Sequence, residues 1–243
     1  EIASFSDYAF DTNAMREPEY EEDHTLSFDG ANLQPSLFHI TKRDPERARL
    51  LSFVAGLPEE PITGLKFDVS PDHRVSLSLK ETFGGKDAFT SAESLSDGTL
   101  HILGVATALL SAKPGSLVVF EEIDNWLHSS RMGMLFDQMS KVIEERNLQV
   151  LVTTHNAALL DHLPPSTLRD VHCCYRDPEE GDTRVTRLVD IERFPSLMAQ
   201  GPLGSLITRG ILDRFLKEED RSEGLEPKVQ AFLNRLKVPP GEG

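Results

Sequence analysis

Two glutamates, Glu121 and Glu122, close the apolar run Leu117-Val118-Val119-Phe120. An apolar run of that length reads as a buried strand of a parallel sheet. Carboxylates at the C-terminal end of such a strand stand where open α/β sheets bind ligands. One acid there can hold a hard Mg²⁺ ion through oxygen, often by way of water. Its neighbour can polarise a water molecule for attack. That pairing is what nucleoside triphosphate hydrolysis needs. Acids also cap strands with no chemical role, so the two glutamates gain meaning only from what accompanies them.

Two other segments accompany them. Upstream lies Leu95-Ser96-Asp97-Gly98-Thr99-Leu100, before an apolar, helix-like run from Ile102 to Leu110. Ser96 is a natural N-cap, and the free N–H groups and positive dipole end of a helix suit a phosphate. Downstream, Val150-Leu151-Val152-Thr153-Thr154-His155 is a second apolar strand that ends on a histidine, before Asn156 to Asp161. In this order and at these separations, the three segments resemble the second half of an ABC-type P-loop ATPase head. The match is to the LSGGQ-type signature, the Walker B strand with its D-loop, and the switch histidine. The double glutamate and the Thr-Thr-His ending resemble the SMC and RecF-like, OLD-like branch of AAA family ATPases. The recognisable motifs span Leu95 to Asp161.

The resemblance implies roles for individual residues. Glu121 stands where the magnesium-side acid stands and Glu122 where the catalytic glutamate stands. His155 would sense the γ-phosphate or the attacking water. Ser96, Asp97 and Gly98 would contact ATP held by a second subunit. Asn125 to His128 match a D-loop, with Asn125 and His128 its candidate residues. The pattern departs from the family at two points. Glu121 replaces a common aspartate, and a water-mediated contact tolerates the extra methylene. Asp97 replaces a glycine, and an anionic side chain beside a phosphate must point away or meet a cation. Trp126 reads as packing. His172-Cys173-Cys174 lacks the spacing of a metal site.

A phosphate cradle, G-x-x-x-x-G-K-[ST], does not occur in the sequence. Gly84-Gly85-Lys86-Asp87 has Lys80 in place of the first Gly and Asp87 in place of Ser or Thr. The expected fold is therefore α/β: the C-terminal lobe of an ABC-type P-loop NTPase head, with a mainly parallel sheet flanked by helices. Starting on a bare strand fits a truncated chain. Walker A would come from an N-terminal lobe of the same protein or a separate chain, and the cofactors would be ATP and Mg²⁺. A second head, as a homodimer, is the expected partner, with DNA or an effector protein reached through other regions. Family members of this kind act in DNA repair, chromosome maintenance and anti-phage defence. A non-hydrolysing, ATP-gated clamp is the alternative. An OLD-type nuclease is disfavoured, because Glu223-Gly224 lies in a polar stretch and residues 163–243 hold no Asp-x-Asp.

The elements that must position these residues follow from periodicity. Residues 2–10 read as a strand leading into a polar stretch. Pro35 to Leu57 reads as one helix, stopped by Gly56, Pro58 and Pro61. Leu65 to Val69 and Val75 to Lys80 alternate with period two and form a hairpin around Pro71-Asp72-His73, with Gly84-Gly85-Lys86 in the next loop. Met132, Leu135, Phe136, Met139, Val142 and Ile143 make one apolar helix face. That helix crosses over to the strand at Gln149 to Val152, which places Glu121, Glu122 and His155 at one sheet edge. Val171 to Tyr175 and Arg184 to Val189 read as strands, Leu203 to Leu216 as a helix, and Val229 to Leu236 as a short amphipathic helix. The expected division is 1–94 as the segment leading to the signature, 95–190 as the ATPase core, and 191–243 as a C-terminal helical segment.

The sequence has 243 residues, 39% hydrophobic and 27% charged, the balance of a globular domain. No run of about 18 apolar residues occurs, so no transmembrane helix is expected, and nothing in the sequence suggests a membrane partner. Adjacent Cys173 and Cys174 sit on opposite faces of a strand, so no disulfide joins them and a cytoplasmic setting is the simplest. A net charge of −15, with no basic stripe, makes this chain a poor main DNA-binding surface.

Overall fold

The computed structural model describes residues 2–55, 62–83, 86–124, 129–163, 165–177, 180–191 and 193–216. The chain divides into two compact units, the first running to His155 and the second beginning at Asn156.

In the first unit, β1 (Phe5–Tyr8), β6 (Leu117–Phe120) and β7 (Gln149–Val152) form a parallel sheet in the order β1-β6-β7. Helix α5 (Ser129–Arg146) makes the β6-to-β7 crossover. In-register strands share faces. Ser6, Val118 and Val150 lie side by side on one face, as do Tyr8, Phe120 and Val152. Val118 and Phe120 are fully buried there. The rings of Tyr8 and Phe120 lie 5.9 Å apart and stacked. Phe10 joins them and meets the His101 ring edge-on at 5.3 Å.

His101 belongs to α4 (Asp97–Ser111), which is buried from Thr99 to Leu110. A helix apolar on all sides belongs in a core. Helix α4 packs against α1 (Thr12–Arg16), α2 (Leu33–Ile40), α3 (Asp44–Val54), α5 and β6. Met132, Leu135, Met139 and Val142 of α5 are buried, the face that periodicity marks.

A second, antiparallel sheet is built from β2 (Glu19–Tyr20), β3 (Ile62–Val69), β4 (Arg74–Phe83) and β5 (Lys86–Ser91). The expected hairpin forms, with Val69 opposite Val75 and His73 at φ 63°.

Several elements differ from expectation. The helix expected over Pro35 to Leu57 is two helices, broken at residues 41–43. Pro45 sits in the first turn of α3, where its missing N–H costs nothing, whereas inside a continuous helix its ring would meet the preceding turn. Lys86 is not in a loop: it opens β5, with Lys86 opposite Phe83. The polar stretch after β1 holds α1 and β2. The expected stops at Gly56, Pro58 and Pro61, and Gly84-Gly85, lie outside the described residues.

The second unit contains α6 (Ala157–Leu160), the antiparallel pair β8 (His172–Arg176) and β9 (Thr183–Arg187), and α7 (Phe194–Met198). Val189 lies in a 3₁₀ turn after β9. The helix expected over Leu203 to Leu216 is divided into α8 (Leu203–Thr208) and α9 (Ile211–Leu216). Gly210 supplies the φ of 66° that ends the first, a conformation glycine adopts without a Cβ penalty. Cys173 is half-buried and Cys174 exposed, as their alternation requires, and burial pushes the Cys173 thiol up to about 11. The helix expected at Val229 to Leu236 lies outside the described residues.

Helices α6 and α8 touch through Gly204. A Cβ there would lie 2.3 Å from the Ala157 carbonyl oxygen. The Gly204 N–H donates to Asp161 Oδ1 at 2.6 Å. Gly204→Ala is expected to destabilise this unit by about 1–3 kcal/mol, because the obstructing atom is backbone. Urea denaturation of the variant checks this; an unchanged midpoint would refute the tight contact.

Candidate functional site

The ends of β6 and β7 are tied together by their own main chain. Phe120 faces Val152 in the ladder. Beyond it, the Thr153 N–H donates to the Phe120 carbonyl at 3.0 Å, and the Glu121 N–H donates to the Tyr8 carbonyl at 2.9 Å. Glu121 therefore still follows the strand and is exposed at the C-terminal edge. Glu122 does not: its φ is 48°, a left-handed conformation that costs an L-residue about 1–2 kcal/mol. The turn re-aims its side chain. The Glu122 N–H donates to Thr153 Oγ1 at 3.1 Å, and His155 Nε2 lies 3.1 Å from Glu122 Oε1.

The two residues with expected catalytic roles thus meet directly. Their side chains are 46% (Glu122) and 88% (His155) exposed, so the pair stands open at the sheet edge. The threonines before His155 position the turn as well. Thr153 holds the Glu122 main chain, and Thr154 Oγ1 donates to Asp124 Oδ1 at 2.6 Å. In the sequence the Thr-Thr pair is legible only as part of a motif, and Asp124 carries no signal of its own. Backbone strain at a site of this kind is a recurrent feature. Glu122→Gly is expected to raise stability by about 1 kcal/mol, because glycine relieves the φ penalty, while removing the carboxylate. A urea midpoint that stays level or falls would count against the strain.

Among the described residues no group of three or more His, Cys, Asp or Glu side chains could hold a metal ion. The exposed carboxylate of Glu121 suits Mg²⁺ held mainly by water and phosphate oxygens, the mode in which one protein carboxylate is enough.

The second group of candidates gathers at the start of α4. Ser96 is its N-cap, its Oγ accepting from the Thr99 N–H at 3.1 Å. Gly98 lies in the first turn. Asp97 meets a cation, as its charge requires: Arg16, at the end of α1, places Nη2 2.7 Å from Asp97 Oδ1. No local signal marks Arg16, which lies 81 residues away. Asn125 and His128, the D-loop candidates, lie outside the described residues.

His101 is a further residue that motif reading missed. It is 3% exposed and, among the described residues, its Nδ1 has no hydrogen-bond partner. Burial holds its pKa down at about 4, against an opposing pull from the Asp124 carboxylate. Its signal in the sequence was a polar residue at the head of an otherwise apolar helical run.

A family model described as "AAA domain, putative AbiEii toxin, Type IV TA system" matches residues 9–161. No curated protein matches. A solved chain from work on ATP-driven dimerization and DNA-stimulated activation of SMC ATPases aligns with a TM-score of 0.42 at 13% identity. The alignment covers 84% of this chain and 99% of that one.

Proposed function

Residues 9–161 make this chain a member of that AAA-domain family of P-loop ATPases, and we propose that it works as the signature-bearing part of an ATP-hydrolysing head that pairs with a second head. The observation that carries this reading is the Glu122–His155 contact of 3.1 Å at the C-terminal edge of two parallel strands. Glu122 orients the attacking water and takes its proton. His155 Nε2–H steadies that carboxylate and reads the γ-phosphate. Glu121 serves Mg²⁺, which supplies charge neutralisation on the phosphates when bound. Ser96 and the Gly98 N–H meet the nucleotide of the opposite head. Positioning and charge stabilisation do most of the catalytic work in such reactions.

Two exposures support a partner. Phosphoryl transfer to one positioned water is favoured when bulk solvent is kept out, yet Glu122 and His155 are open. The sheet face away from Phe120 carries Phe5 and Leu151, 61% and 53% exposed, beside Leu117 and Val119, with the exposed Asp7 and Gln149 on the same face. We take that largely apolar face, four of whose six strand residues are hydrophobic, as the seat of the lobe that brings the phosphate cradle, whether from the same protein or a companion chain. Of the settings that the motifs leave open, DNA repair, chromosome maintenance and anti-phage defence, we favour anti-phage defence, a choice that draws on the family description's mention of a putative toxin.

Native mass spectrometry with Mg²⁺ and ATP tests this. A companion polypeptide or segment carrying Walker A, with two heads assembling on nucleotide, supports the reading. A chain that stays alone and nucleotide-free sinks it.

A further inference from the structure

We infer that Arg16 is a positioning residue of the Ser96 turn, neutralising Asp97 so that the start of α4 can receive a polyphosphate. The inference rests on the proposed function and goes beyond it, since no motif contains Arg16.

The guanidinium brackets Ser96 from both sides. Nη2 donates to the Leu95 carbonyl at 3.0 Å and to Asp97 Oδ1 at 2.7 Å. Nη1 reaches the Thr12 carbonyl of its own helix at 3.5 Å. One side chain therefore fixes the residue before Ser96 and the residue after it. Ser96 Oγ is meanwhile engaged with the Thr99 N–H, so the whole turn is held.

The main chain beneath Arg16 is equally fixed. Buried Gln34 donates Nε2 to the carbonyls of Met15, Arg16 and Glu17, at 3.3, 2.9 and 2.9 Å. Its Oε1 accepts from the Leu77 N–H of β4 at 2.8 Å. Arg16 is thus anchored through α2 to the antiparallel sheet, and its fork is pre-organised rather than trailing in solvent. The side chain is 23% exposed and that of Asp97 is 40% exposed. A surface ion pair of this kind adds little to stability. Its value lies in charge: Asp97 alone would set a negative group beside the N–H groups that must meet phosphate, and Arg16 cancels it.

Charge cancellation makes a prediction that a purely structural role does not. The cost of losing Arg16 must depend on Asp97. Four chains test it, all carrying Glu122→Gln so that ATP persists: the parent, Arg16→Ala, Asp97→Asn, and the double variant. Each is assembled with its Walker A companion, and the Mg–ATP concentration that half-saturates head pairing is measured by size-exclusion chromatography, with thermal melting as a folding control. Arg16→Ala is expected to raise that concentration about 10-fold or more, the worth of a charge-assisted hydrogen bond. In the Asp97→Asn background the same change should cost less than about threefold. Arg16→Lys, which keeps the charge and loses the two-pronged contact, should fall between. It also carries the test if the alanine variant melts early.

An equal loss in both backgrounds, or no loss in either, overturns the role of Arg16 while leaving the ATPase reading intact. A parent chain that never pairs on ATP overturns the proposed function, and this inference with it.

Discussion

Replacing Glu122 by glutamine is expected to lower ATP turnover by the assembled protein about 10²- to 10⁴-fold, the usual worth of a positioned base. Head pairing on ATP should survive and last longer. The amide matches the carboxylate in shape, and its oxygen still accepts from His155 Nε2. The Thr153 contact is made by the Glu122 main chain and does not change. What is lost is the ability to take a proton from water. The fall should therefore appear in kcat, with KM little altered. Phosphate release, read beside the lifetime of the ATP-bound pair, separates three cases. Turnover that persists unchanged refutes the assignment of Glu122. A parent protein that pairs on ATP but never releases phosphate is a clamp rather than an enzyme. Turnover that collapses while pairing lengthens is the expected result.

Acid stability is expected to depend on His101. The ring is held neutral by burial, with a pKa of about 4 in the folded chain against the ordinary 6.5. The unfolded chain therefore binds more protons between those values. Stability should fall as pH drops below about 6.5 and keep falling until about 4. The contribution of this one ring is about 3 kcal/mol across that window. Among the described residues its buried Nδ1 meets no partner, so removing the ring also removes an unsatisfied group. His101→Leu should be at least as stable as the parent at pH 7. Its advantage should widen by about 3 kcal/mol by pH 4. Urea denaturation of both chains at pH 7, 5.5 and 4 provides the measurement. Parallel pH curves would mean that the histidine titrates freely and that the buried placement is wrong.

These two residues differ in how far they could be read from the chain alone. Glu122 sits at the end of an apolar run, and the strand Leu117–Phe120, its partner Gln149–Val152 and the crossover helix between them all formed as their periodicity required. Local patterning decides such elements because it states which side of one segment must leave water. It also decided that Glu121, Glu122 and His155 share one sheet edge, since parallel strands joined by a single helix must end on the same side. Ser96 as an N-cap belongs with these, being a matter of four consecutive residues.

Local patterning failed where an outcome depended on distant partners. The helix expected over Pro35 to Leu57 broke because Pro45 could sit only in a first turn. Lys86 became part of β5 because β4 offered it an edge to pair with. His101 reads on paper as a polar residue at the rim of a helix. It is buried because Phe10 and neighbouring helices close over α4. The left-handed turn at Glu122, which brings its carboxylate to His155, needs the Thr153 hydroxyl to receive its N–H. The pairing of Arg16 with Asp97 spans 81 residues and exists because α1 packs beside α4. Which residues can do chemistry, and on which strands and helices they stand, is written into short stretches of this chain. Which charges meet and which polar groups leave water is set by packing between segments far apart in the chain, and their spacing carries no trace of it.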